Sequence, residues 1–151
     1  MSIDYQQLVE ALGDAVVVAD ADGMIRLWNP AAERLFGFTQ TDALGSSLDL
    51  IIPERLRQRH WAGYDKAMAS GETRLGRDLL QVPALHKDGR TLSIAFTVGL
   101  LFGPEQSVAG IVAVIRDDTK RFSEDRERRR LFAEEEELRK ALAQSLSEAQ
   151  H

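Results

Sequence analysis

The chain has 151 residues, 44% of them hydrophobic, which suits one globular domain with its own core and leaves too little for a sensor joined to a second folded effector. It contains no cysteine, so disulfides, thiolate metal sites, thiol nucleophiles and cysteine-adduct photochemistry are excluded. The net charge of −5 argues against general binding to nucleic acid or to an anionic membrane surface.

Ser2 stands where it would cap a first helix, with Tyr5, Leu8, Val9 and Leu12 as its apolar stripe and Gly13 as its stop. Ala15 to Ala19 is an apolar, mostly β-branched run, Asp20 to Gly23 reads as a turn, and Met24 to Trp28 alternates, so the segment predicts a hairpin. Asn29 then caps a helix with Pro30 at its first position and Gly37 at its end. A one-turn helix over Thr39 to Leu44 and an apolar stretch, Leu48 to Ile52, lead to Pro53. That proline is expected as the first residue of a helix running to about Ala69, with Ser70-Gly71 ending it.

Gly76 to Leu85 predicts a strand that carries Pro83 at an edge or bulge, closed by the turn His86-Lys87-Asp88-Gly89. Thr91 to Leu101 places Leu92, Ile94, Phe96, Val98 and Leu100 on one face. Gly103-Pro104-Glu105 turns the chain into Val108 to Ile115, a strand apolar at nearly every position and therefore expected to be covered on both faces, one by the short helices and the other by the N-terminal helix or a second subunit. Near Lys120 the composition changes. Residues 120–151 carry eight Lys or Arg and eight Asp or Glu, leaving 11 against 16 before them.

This division predicts a flanking helix over 1–13, a folded domain over 14–119 and a charged helix over 120–151. In the last, Leu131, Leu138, Leu142 and Ala149 share one side, an interrupted stripe that weakly suits a coiled coil and favours a parallel homodimer. Arg130 and Glu134 have the spacing of an i,i+4 pair. No apolar run approaches the roughly 18 to 20 residues of a membrane span. Met1 to Glu10 also lacks a signal-peptide pattern, so the expected location is the cytoplasm.

Three motifs in order resemble the PAS sensory family: Trp28-Asn29-Pro30-Ala31-Ala32-Glu33-Arg34-Leu35-Phe36-Gly37, Lys87-Asp88-Gly89 and Arg116-Asp117-Asp118-Thr119. The resemblance implies an α+β fold, a five-stranded antiparallel sheet with short helices over a central pocket, used to sense a ligand or to pair subunits. Within the family, Ile52 to His60 looks like the helix of the haem-binding oxygen sensors, in which a histidine at this place ligates the iron. That implies a haem site with His60 as metal ligand and Tyr64, Arg77, Ile94, Phe96 and Ile111 around it. It also implies a signal junction at Asp117 and Thr119, where either side chain suits a helix cap.

The plainer alternatives stand beside these. His60 also suits a half-buried helix histidine bonded to a backbone group, and Trp28 suits core packing better than stacking on a planar ligand. His86 is a turn residue, and Asp20 and Asp22 are explained by their turn without a metal. No nucleophile with a base, and no glycine-rich phosphate loop, points to an enzyme. The expectation is a cytoplasmic sensor or signal-transfer module, haem-based through His60, with output through the last helix to an effector domain or partner kinase. The alternatives are a ligand-free dimerisation and interaction scaffold, or a sensor of noncovalent flavin or another small ligand.

Overall fold

The computed structural model describes residues 1–72 and 78–149. Helix α1 (Tyr5–Ala11) is followed by β1 (Ala15–Asp20), β2 (Ile25–Trp28), α2 (Pro30–Phe36), α3 (Gln40–Ala43), a 3₁₀ turn (Leu48–Ile51) and α4 (Glu54–Ser70). Then come β3 (Leu80–Leu85), β4 (Thr91–Phe102), β5 (Val108–Asp117) and α5 (Thr119–Ala149). The strands form one sheet in the order β2-β1-β5-β4-β3, with every neighbouring pair antiparallel. The class is α+β, as the sequence leads one to expect.

The chain divides into two compact units, Met1–Asp118 and Thr119–His151. In the first, the β1–β2 turn is built by Asp20. Its carboxylate accepts the N–H groups of Asp22 and Met24 at 3.0 and 3.1 Å and pairs with Arg26 at 2.7 Å. Burial opposes ionisation of this group, but the Met24, Arg26 and Asp22 bonds hold its carboxyl below the usual range. At the other end of the hairpin Asn29 does more than cap α2. Its Oδ1 accepts from Ala32 and Val16, and its Nδ2 donates to the carbonyls of Val9 and Asp14. One side chain thus ties together α1, β1 and α2, and at 3% exposure it is fully paired.

Strand register decides what the sheet presents inward. Ala15, Val17 and Ala19 lie opposite Ile115, Ala113 and Ile111, which in turn lie opposite Phe96, Val98 and Leu100. Trp28, Phe36 and Ile25 are the largest fully buried side chains, and such burial contributes roughly 1.5–3 kcal/mol each. The Trp28 indole packs on Phe36 with ring centroids 5.3 Å apart and donates to the Phe38 carbonyl at 2.9 Å, so its role is core packing.

Several local expectations are corrected. The cap of α1 is Asp4, which accepts the Gln7 N–H at 3.2 Å; Ser2 lies too early to reach it. Pro53 is the cap of α4 rather than its first residue, with ψ of 138°. Strand β3 starts at Leu80; Asp78 and Leu79 are not strand, and positions 76 and 77 fall outside the described residues. Within Met1–Asp118 the N-terminal helix does not cover the outer face of β5: inward Ile115 is 4% exposed, whereas outward Val114 is 37% exposed. The helices α2 to α4 supply cover to the inner face alone.

Helix α5 is described by itself. Its 31 residues extend over about 46 Å at 1.5 Å per residue. Among the described residues none of it is buried. Arg130 pairs with Glu127, not with Glu134, and Arg139 pairs with Glu135 and Glu136 at 3.6 and 3.4 Å. Each of these pairs has its acid N-terminal to its base, the orientation the helix dipole favours.

Candidate functional site

The inner face of the sheet, the 3₁₀ turn and α4 wall a half-open cavity of about 130 Å³. Its walls come from Val17, Ile94, Phe96, Val98, Ile111 and Ile115 on the strands and from Leu48, Ile51 and Ile52 before α4. Fourteen of the sixteen described lining residues are apolar; the other two are His60 and Tyr64. Helical spacing puts that pair on one face of α4, one turn apart.

Three anchors hold α4 in place. The Tyr64 hydroxyl donates to the Asp20 carbonyl, Trp61 Nε1 donates to Asp49 Oδ1 at 2.7 Å, and the Arg57 guanidinium donates to the carbonyls of Ile52 and Asp49 at 3.0 and 3.2 Å. Gly23 is part of the same clamp. A Cβ there would lie 2.1 Å from the Trp61 ring, and its φ of 79° already favours glycine. Burial pushes the Tyr64 phenol up to about 12, with the carboxylates of Asp20, Asp22 and Asp65 adding to the effect.

The His60 ring packs edge-on against Trp61, centroids 4.7 Å apart, and lies 5.8 Å from the Tyr64 ring. Its Nδ1 is closed off from solvent and has no hydrogen-bond partner among the described residues. His60 is half-buried, as the plainer expectation has it, but its Nδ1 bonds no described backbone group. Burial lowers the imidazole below its ordinary value, and the charge of Asp49 only partly opposes this. A neutral imidazole in apolar surroundings is chemically suited to an iron. A volume of about 130 Å³ is not suited to a porphyrin, since pockets for drug-sized ligands start at roughly 300 Å³. In this conformation the cavity does not fit a haem.

Of the residues singled out in the sequence, His60, Tyr64, Ile94, Phe96 and Ile111 meet at the cavity, and Arg77 lies outside the described residues. Asp117 ends β5 and Thr119 begins α5. Between them Asp118 donates its N–H to the Ser93 carbonyl at 2.7 Å and accepts from Gln81 Nε2 at 3.2 Å. Close by in sequence, Arg116 Nε meets both carboxylate oxygens of Asp14 at 3.1 Å. Sequence reasoning missed Asp49, Trp61 and Gln81. No local pattern marks them, because their partners lie 12 and 37 residues away. His86 accepts the Asp88 N–H at 3.1 Å as a turn residue should. Among the described residues no group of three or more His, Asp or Glu is placed to hold a metal ion, and no described helix is long and apolar enough to cross a membrane.

A family model described as the PAS fold matches residues 3–117. The sensor protein FixL of Bradyrhizobium diazoefficiens is 28% identical over 108 residues, covering 71% of this chain and 21% of that protein. The oxygen sensor protein DosP of Escherichia coli is 23% identical over 130 residues, covering 86% of this chain and 16% of that protein. This chain thus spans less than a quarter of the length of either relative. The crystal structure of the PAS domain of a protein from Colwellia psychrerythraea superposes with a TM-score of 0.67 at 24% identity, covering 77% of this chain and 95% of that one.

Proposed function

The chain belongs to the PAS family, and from that premise we propose that this sensor domain is the non-catalytic input module of a longer cytoplasmic signalling protein, reading a small, mainly apolar ligand in the cavity beside His60. The observation that carries the reading is the half-open space of about 130 Å³ on the inner face of the sheet, lined almost wholly by apolar side chains among the described residues. Apolar cavities of roughly 150 Å³ accept molecules the size of benzene. A ligand shifts a two-state module only by its differential affinity for the two states. Filling the cavity favours the arrangement of β3 to β5 that accommodates it, and the difference passes through Asp117 to Thr119 into α5. In this reading α5 pairs with a second copy and leads to an effector domain or a partner kinase.

Titration of the protein with toluene tests the input. The melting temperature rises with ligand concentration if the cavity is the site, and no rise with any benzene-sized compound removes the reading. The oligomeric part is tested by analytical ultracentrifugation of residues 1–151 against 1–119, where two monomers would rule out pairing through α5.

Haem is the second reading, supported by the buried imidazole nitrogen of His60, which has no partner among the described residues. It requires the cavity to open several-fold beyond its present volume. An intense Soret band on adding haemin, lost in His60→Ala, would put haem in place of the small ligand; an unchanged spectrum would leave the small ligand as the input. A spectral change with added flavin but not with haemin would assign the cavity to that cofactor instead.

A further inference from the structure

The lining of the cavity is uniform except at one point. Among the described residues fourteen apolar side chains and two polar ones face it, and the Tyr64 hydroxyl already donates to the Asp20 carbonyl. What remains is the imidazole of His60, with a nitrogen that neither solvent nor any described residue pairs. A buried polar group left unpaired costs stability, and native structures tolerate few of them. A water molecule would satisfy it poorly, because buried water settles where two to four polar partners converge. Among the described residues these walls offer only the imidazole and the spare acceptor of the Tyr64 oxygen. Trp61 and Tyr64, packed against the ring, also restrict how far it can turn toward solvent.

We propose that the ligand of this cavity is a compact, mainly apolar molecule bearing a single hydroxyl or N–H group, which pairs with the unsatisfied nitrogen of His60. Phenol represents the class; it has the ring that the apolar walls accept and one group for the imidazole. The proposal rests on the cavity being the input site and adds the chemistry that selects its occupant. A site built around a hydrogen bond discriminates strongly against the analogue lacking it, because its own polar group is then stranded. His60 is therefore a specificity-determining residue, and its neutral imidazole serves as donor or acceptor according to the ring nitrogen that carries the proton.

Phenol and toluene have nearly the same shape and differ in the group that His60 would read. Dissociation constants for both are measured by calorimetry on the full chain, in wild type, His60→Leu and His60→Gln. The ratio of toluene to phenol dissociation constants should fall at least about tenfold in His60→Leu and largely recover in His60→Gln. Independently of any variant, the ¹⁵N shift of the His60 Nδ1 should move on adding phenol and stay put with toluene. An unchanged ratio with no ¹⁵N response to phenol overturns the proposed selectivity while leaving the cavity as the input site. Failure of both compounds to bind wild type removes the cavity reading and this proposal with it.

Discussion

Within Met1–Asp118, Trp28, Phe36 and Ile25 are almost completely withdrawn from water, while along Thr119–Ala149 Leu131, Leu138, Leu142 and Leu146 are each more than half exposed. Both stretches hold regular structure, but by different physics. The sheet and its helices exist because side chains distant in sequence exclude water together. Helix α5 has its own hydrogen bonds and its Glu–Arg and Asp–Arg pairs, and an isolated helix so supported is marginal in water. Its leucines acquire value only when something covers them. The first unit thus holds its shape by its own core, whereas the leucines along the second lie exposed on a helix of their own.

The contrast can be broken most directly by opening the core. Phe36→Ala should destabilise Met1–Asp118 by about 3–5 kcal/mol, measured by urea unfolding, since the ring is fully buried against Trp28. A loss below about 1 kcal/mol would mean that the core is not the source of stability. Gly110→Ala comes next. Its Cβ would sit 2.4 Å from the Ala19 carbonyl oxygen, and backbone cannot yield as a side chain does, so about 3 kcal/mol is expected from the same measurement. Unaltered stability would show that β1 and β5 approach less closely than described.

Tyr64→Phe removes the bond from α4 to the β1–β2 turn without opening much space, for about 1 kcal/mol. A neutral result would show that α4 is held by Trp61 and Arg57 alone. A pH experiment sharpens the same region. The folded value of His60 lies below 6.5, so the unfolded chain takes up the proton first; stability from this group is present above 6.5 and is lost as pH falls toward the folded value. Wild type should therefore lose more stability between pH 7.5 and 5 than His60→Gln does, by chemical denaturation. Equal losses would mean that the imidazole is not held neutral by burial. The smallest effect belongs to α5, where Leu138→Ala should shift the unfolding of the first unit by less than about 0.5 kcal/mol. A larger shift would show that the two units share stability.

Much of the fold was legible because its signals are local. Asn29, Pro30 and Gly37 bracket α2 in the sequence and do so in the structure, with Gly37 left-handed at φ 83°. The alternation from Leu92 to Leu100 located β4, and Gly71 ended α4. Less was legible at the site. His60 could be placed on a helix and Ile94 on a strand, but neither position discloses how much space separates them. The Asn29 side chain reads as a cap, whereas its bonds to Val9, Asp14 and Val16 depend on β1 lying beside it. The outer face of β5 shows the same limit: its apolar residues call for cover, but they do not say that the N-terminal helix leaves Val114 37% exposed.

By itself, then, the sequence determined the elements, their order and the histidine on α4, since caps, turns and periodicity act over one to four residues. That Asp20, Asp49 and Gly23 clamp that helix, that the cavity holds about 130 Å³, and that one nitrogen of His60 is buried with no partner among the described residues all follow from the tertiary packing. Those properties arise from the distance between surfaces brought together by burial, and no local pattern encodes a distance across a core.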